Sequence, residues 1–192
     1  MTPCGPLVDV VLQRVRDPEG AVATRDFTRS RISDAQRLLN ARFGWILDEA
    51  TLVTEPLRIF YPVDALLGTS VKVRYIRQGN RDLVPVPWGP TWFGMRRGWP
   101  RAVGPRYEIF GTIGRDVVVV WPASRVGDSL TVRSPKLTAV LAGDADELEV
   151  HDEMVPMVLD FATMLVSLKL RQFGPLAEVS SSLAGRLKDQ AG

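Results

Sequence analysis

Near the N-terminus Leu7, Val8, Val11, Leu12 and Val15 recur three and four residues apart, which predicts a helix over residues 6–16. Pro6 suits its first turn, and Asp17-Pro18-Glu19-Gly20 ends it. A second stripe, Ile32, Ala35, Leu38 and Leu39 with the stem of Arg42, predicts a helix starting at about Asp26 or Thr28, running to Phe43 and closed by Gly44. The short loop between them makes the two helices an antiparallel pair.

From Trp45 to Arg133 the period changes to two. Residues 57–61 and 71–77 alternate, with Val71, Val73 and Tyr75 on one face of the second run. Gln78-Gly79-Asn80 turns the chain into Leu83-Val84-Pro85-Val86, whose prolines place it at a sheet edge or in an irregular stretch. Residues 107–111 and 116–121 read as a hairpin, with Gly111-Thr112-Ile113-Gly114 as its turn rather than a phosphate cradle, and a strand follows over 129–133.

Helical spacing returns with Met157, Val158, Phe161, Met164, Leu165 and Leu168, over roughly six turns ending near Phe173, where Gly174-Pro175 stops the helix. The acids that precede it and Lys169 and Arg171 near its end both favour the helix dipole. Beyond Pro175, Leu176, Val179, Leu183 and Leu187 mark a short Ser-rich helix or tail with too little apolar surface to fold alone. The pattern predicts an α+β fold: a helix bundle with an inserted small antiparallel β-domain and an extended C-terminal arm. Its parts are the first helices (1–44), the β-domain (45–142), the long helix (143–174) and the arm (175–192).

Composition narrows the function classes. The 192 residues are 45% hydrophobic and 24% charged, as in an ordinary globular domain, and hold one cysteine, Cys4, and one histidine, His151. A disulfide framework and a zinc site both need more such residues, so no metal and no cofactor is expected. The longest apolar stretch, residues 154–168, is broken by Pro156 and Asp160 and is shorter than the roughly 20 residues of a membrane span. The start of the chain has neither the basic nor the apolar part of a signal peptide, so the expected location is the cytosol where it is made.

No phosphate-binding Gly-Lys-Ser/Thr loop, His-Glu-x-x-His helix or Gly-x-Ser-x-Gly elbow is present, and no nucleophile motif accompanies His151, so the chain is not expected to be an enzyme. Asp152 and Glu153 beside it read as a helix start.

Charge is more informative. Residues 67–133 carry 11 basic side chains against Asp82, Glu108, Asp116 and Asp128, a balance of +7, whereas residues from Gly143 onward have 9 acids and 4 bases. Opposite charge in successive segments permits attraction within the chain or between copies. Inside the basic segment, residues 88–101 interleave Trp88, Trp92, Phe93 and Trp99 with Arg96, Arg97 and Arg101. Three uses are open: aromatic anchors of an irregular segment, a protein interface rich in hot-spot residue types, or a stacking platform for single-stranded nucleic acid. The last makes a nucleic-acid-binding module the alternative function.

The order of short motifs is distinctive. Arg37-Leu38-Leu39-Asn40 lies in an early helix, followed by Phe60-Tyr61-Pro62, the Trp-bearing stretch, Gly104-Pro105-Arg106-Tyr107, Val119-Val120-Trp121-Pro122, the linker Ser134-Pro135-Lys136-Leu137 and an acid-led helix. Over roughly residues 30–175 this order resembles the head-to-tail adaptor (connector) proteins of tailed bacteriophages, particularly those of short-tailed phages. The helix expected over residues 6–16 has no counterpart in that pattern. The resemblance implies a virion protein at the head–tail interface, assembled in the host cytoplasm as a homo-oligomeric ring, a dodecamer, beneath the portal protein. Such a ring extends the channel through which genomic DNA passes without sequence-specific binding, and it offers a platform to the tail nozzle or tail fibre protein. It involves no membrane, no cofactor and no catalytic residue. The matching C-terminal arm would grip the portal through Leu176, Val179, Leu183 and Leu187. Subunit or tail contacts would use Trp92, Phe93, Arg96, Arg97 and Trp99 on the basic β-domain and Asp144, Asp146 and Glu147 on the acidic surface.

Overall fold

The computed structural model describes residues 2–63, 73–89, 102–114 and 117–189. The chain forms two compact units, one made of residues 1–42 and 138–192, the other of residues 43–137. The fold is α+β, and the β unit is inserted in sequence between helices of the other unit. Residues 138–142, expected in the β-domain, belong to the helical unit.

Among the described residues the helical unit contains α1 (Cys4–Arg14), α2 (Arg25–Phe43), α3 (Val155–Leu170) and α4 (Phe173–Asp189). α1 starts earlier than its apolar stripe, with Pro3 at the N-cap position and no side-chain cap. The backbone N–H groups of Cys4 and Gly5, left without partners inside the helix, donate to the carbonyls of Asp146 (2.7 Å) and Asp144 (2.9 Å). Gly5 permits this approach, since a Cβ there would stand 3.1 Å from the Cβ of Asp144. Leu7, Val8, Val11 and Leu12 are buried, as are Ile32, Ala35 and Leu39 of α2 and Val155, Val158, Leu159, Ala162 and Val166 of α3. Both α1 and α4 pack on α3, which explains why α3 is apolar around most of its circumference.

Two expectations fail where α3 meets α4. Helix α3 ends at Leu170, with Arg171 in the left-handed conformation (φ 55°). Gly174 and Pro175 then lie in the first turn of α4, where a missing N–H has no intrahelical partner to lose. The C-terminal segment is therefore a 17-residue helix and not an extended arm. Packing on α3 supplies the apolar cover that its own sequence lacks.

Among the described residues the β unit holds two four-stranded sheets and a short two-stranded one. The first sheet has the order β1 (Leu47–Val53), β10 (Ser129–Pro135), β3 (Tyr75–Gln78), β4 (Arg81–Asp82), all antiparallel, with Leu52 opposite Leu130 and Val132 opposite Ile76. The second has the order β2 (Phe60–Pro62), β8 (Val117–Trp121), β7 (Ile109–Ile113), β5 (Val84–Pro85). The expected hairpin is β7–β8, with Phe110 opposite Val120, but Gly111, Thr112 and Ile113, expected in its turn, are paired residues of β7 opposite Val119, Val118 and Val117. The proline-bearing β5 lies at the sheet edge. β5 runs parallel to β7, however, and β6 (Val103–Gly104) runs parallel to β9 (Ala123–Ser124), so the unit is mixed and not wholly antiparallel.

One core joins the inner faces of the two larger sheets: Leu52, Ile76, Leu130 and Val132 from the first, Tyr61, Phe110, Val118 and Val120 from the second, with Tyr107 wholly buried among them. The outer face of the second sheet is apolar too. Ile59, Val119, Trp121 and Ala123 are buried there beneath Val86, Trp88 and Ala102. Burial on both faces accounts for the unbroken run Val117–Trp121, which lacks the alternation of a half-exposed strand.

Candidate assembly surfaces

The helical unit contains two charged constellations. The first is the turn over residues 142–149, which carries Asp144, Asp146 and Glu147. The Asp146 carboxylate accepts hydrogen bonds from the backbone N–H of Ala142 (2.6 Å) and Gly143 (2.9 Å), closing the turn. These bonds, Gly143 foremost, hold its carboxyl below the usual carboxylate range. Asp144 bridges two arginines of α2: Arg29 Nη2 donates to Oδ1 and Arg25 Nη2 to Oδ2 (3.0 Å). Arg29, the stronger cause, and Arg25 depress the Asp144 carboxyl in the same way. Arg29 also reaches the Ala142 carbonyl (3.1 Å) and Asp26 (2.7 Å), while Arg25 pairs with Asp9 of α1. Cys4 is enclosed beside this turn, and burial pushes its thiol up to about 11, so it stays protonated at neutral pH.

Two of the acids expected to face a neighbouring copy thus have partners within their own unit. Glu147 is exposed and pairs through its backbone with Pro3. Reversing Asp144 or Asp146 would disturb the turn itself, and Glu147 alone offers its charge without such a role. The expected service of this acidic run to the long helix is also limited to its last members: Asp152 and Glu153 lie in a 3-10 turn ahead of α3, and α3 has no acid in its own first turn. His151 is exposed just before that turn, and its carbonyl accepts from Met154 N–H (2.8 Å).

The depressed carboxyls carry a pH prediction. Asp17 is held low in the same sense, mainly by Ala23 N–H and Val22 N–H, and Asp82 mainly by Arg77. A carboxyl whose folded pKa lies below its unfolded value of about 4 stabilises the fold above that value, and the contribution is lost as pH falls through the lowered one. Thermal melts should show a Tm that is level from neutrality to about pH 5 and falls below about pH 4. A Tm that rises on acidification would contradict these assignments.

The second constellation centres on Asp160 of α3, which is only 4% exposed. Its Oδ1 accepts from Arg14 Nη1 of α1 (2.9 Å), and its Oδ2 accepts from Ser182 Oγ (2.9 Å) and Arg186 Nε (3.0 Å) of α4. One carboxylate therefore ties three helices together. In the sequence Asp160 stands out only as an interruption of an apolar run. Its signal was there: a lone acid on a helix otherwise built for burial requires a cationic partner from elsewhere.

The face of α4 assigned to a portal is already in use. Leu183 is buried, and Leu176 and Val179 are half-buried along the same stripe, on the helix that Ser182 and Arg186 fasten to α3. Leu187 belongs to α4 as well. Packing of α4 on α3 thus covers Leu183 and part of Leu176 and Val179. Trp92, Phe93, Arg96, Arg97 and Trp99 lie outside the described residues. At the border of that segment Trp88 meets Phe60 edge to face (6.0 Å, 76°).

Among the described residues no group of three or more His, Cys, Asp or Glu side chains could hold a metal ion, and no helix is long and apolar enough to cross a membrane. No family model matches the chain, and no curated protein matches it.

Proposed function

We propose that this protein is a structural head-to-tail adaptor of a tailed bacteriophage, a ring-forming subunit that docks under the portal, extends the DNA channel and receives the tail nozzle or fibres. One observation carries the reading: helices from both ends of the chain form one unit, and a β unit is inserted in sequence between α2 and α3, as expected of the family that the motif order resembles. The role is mechanical, with no reaction step and no cofactor, and the protein acts in the virion after assembly in the host cytoplasm. Ring closure by a dodecamer follows from the resemblance alone.

The α3–α4 packing changes how portal contact is made. α4 meets the portal either as a preformed helix through its outer, polar side or after it leaves α3. The first route is favoured here because Asp160, Ser182, Arg186 and Leu183 all hold α4 in place.

Capture on particles tests the function. The purified chain, mixed with portal-bearing capsids of the phage whose genome encodes it, should sediment with them and should not sediment with shells lacking portal. Equal recovery with both kinds of particle, or with neither, would remove the adaptor reading.

A further inference from the structure

In the β unit, Gln78, Gly79, Asn80, Arg81, Arg106 and Asp128 line an open depression of about 470 Å³ at the β3–β4 turn. Gln78 pairs with Arg81 across the turn, and Gly79 adopts φ 57°, so the chain reverses tightly there and Arg81 projects from the start of β4. Arg81 and Arg106 are both exposed, and neither guanidinium forms an ion pair among the described residues. Arginines of the same unit do find acids where one is in reach: Arg58 takes Glu55 (2.7 Å), Arg77 takes Asp82 (2.8 Å) and Arg133 takes Glu49 (2.8 Å).

The acid in the depression is differently engaged. Asp128 accepts from Gln78 Nε2 through Oδ2 and from Ser129 N–H through Oδ1 (2.7 Å), while Gln78 Oε1 accepts from Tyr107 N–H (3.1 Å). Gln78 thus fixes the carboxylate to the floor and leaves two forked cations on the rim. A neighbouring depression, lined by Val103, Gly104, Pro105, Ser124, Arg125 and Val126, adds a third exposed arginine, which likewise has no ion pair among the described residues.

We infer that Arg81 and Arg106 form a site for a backbone phosphate of nucleic acid, with Arg125 reaching an adjacent phosphate. Guanidinium forks match the paired oxygens of a phosphodiester, and Asn80 adds a neutral donor. Charge favours the diester over free phosphate: two guanidiniums against one carboxylate leave a single positive charge, and a phosphodiester carries a single negative one. The site contacts backbone and no base edge, so binding is independent of sequence. This inference does not rest on the adaptor reading, since it concerns the isolated chain and DNA with no portal present. Failure of either leaves the other standing.

The test is fluorescence anisotropy of the full chain with a labelled DNA duplex between about 50 and 200 mM salt, where log K falls with log salt by about 0.9 per phosphate neutralised. The double variant R81Q/R106Q should bind more weakly at every salt concentration and lose about two from the magnitude of that slope, and R125Q about one. R81K/R106K keeps the charge and should keep the slope. All these side chains are exposed, so melting temperatures should match wild type, and the comparison is made on variants that do. Inorganic phosphate at matched ionic strength should not displace the duplex, and neither should poly-glutamate. The inference is overturned if wild type does not bind duplex at low salt, if R81Q/R106Q keeps the wild-type slope, or if phosphate or poly-glutamate competes as well as unlabelled duplex.

Discussion

Replacing Phe110 with alanine should destabilise the β unit by about 3–5 kcal/mol, the range for removing a large buried aromatic. Phe110 sits in the middle of β7, opposite Val120 of β8, and its carbonyl accepts from Val86 N–H (2.8 Å) beside β5. Its side chain, 3% exposed, fills the core that both four-stranded sheets share with Tyr61, Tyr107 and Leu130. The surrounding strands are held by their ladders and cannot close over the space, so both the lost burial and the cavity contribute. Denaturant titration followed by Trp fluorescence would measure this, with Trp121 on the neighbouring strand as one reporter. A loss below about 1 kcal/mol would show that the two sheets do not share a tightly packed core.

Asp160→Ala should have the largest effect on the helical unit. Hydrogen bonds to charged groups contribute about 1.5–3 kcal/mol each, but the Asp160 partners are not additive. Arg14 and Arg186 are also about 37% and 46% exposed, so water takes back much of their charge when the carboxylate is gone. The expected net loss is about 2–3 kcal/mol, or a Tm lower by roughly 5–10 °C. Asp160→Asn keeps an acceptor and should fall between wild type and alanine. Hydrogen exchange should show α4 losing protection before α1 in the alanine variant, because Asp160 gives α4 two of its three hydrogen bonds, through Ser182 and Arg186. Unchanged protection of α4 would mean that Leu183 and its neighbours hold that helix without the carboxylate.

What the sequence reveals depends on whether a residue's partner lies close in the chain. The stripe of α1, that of α2 apart from Leu38, which is exposed, the β7–β8 pairing and the edge position of β5 follow from spacing and proline chemistry, which are local. β1 escaped notice because it is an edge strand. In Leu47–Val53 only Leu52 is buried, so no alternation survives to mark it, and its seven-residue register with β10 is set by a partner far away in sequence. α4 is legible only as a short helix or tail, for a different reason. Gly174-Pro175 has the chemistry of a stop, and that chemistry is equally compatible with a first turn, so only the presence of α3 to pack against decides between them.

The candidate surfaces divide in the same way. The acidity of Asp144 and Asp146 is plain in the sequence, but their service to Arg25, Arg29 and the 142–143 backbone is a tertiary fact. The same holds for the Arg81–Arg106 depression, whose two arginines are 25 positions apart.

Electron microscopy of the portal ring with and without this chain tests the central proposal most directly. The account predicts an added ring beneath the portal, with the portal's own rotational symmetry and an open central channel, and a monomer or weak oligomer when the chain is imaged alone. A portal unchanged in outline after incubation with saturating chain, or chain attached at scattered positions without closing a ring, would contradict it.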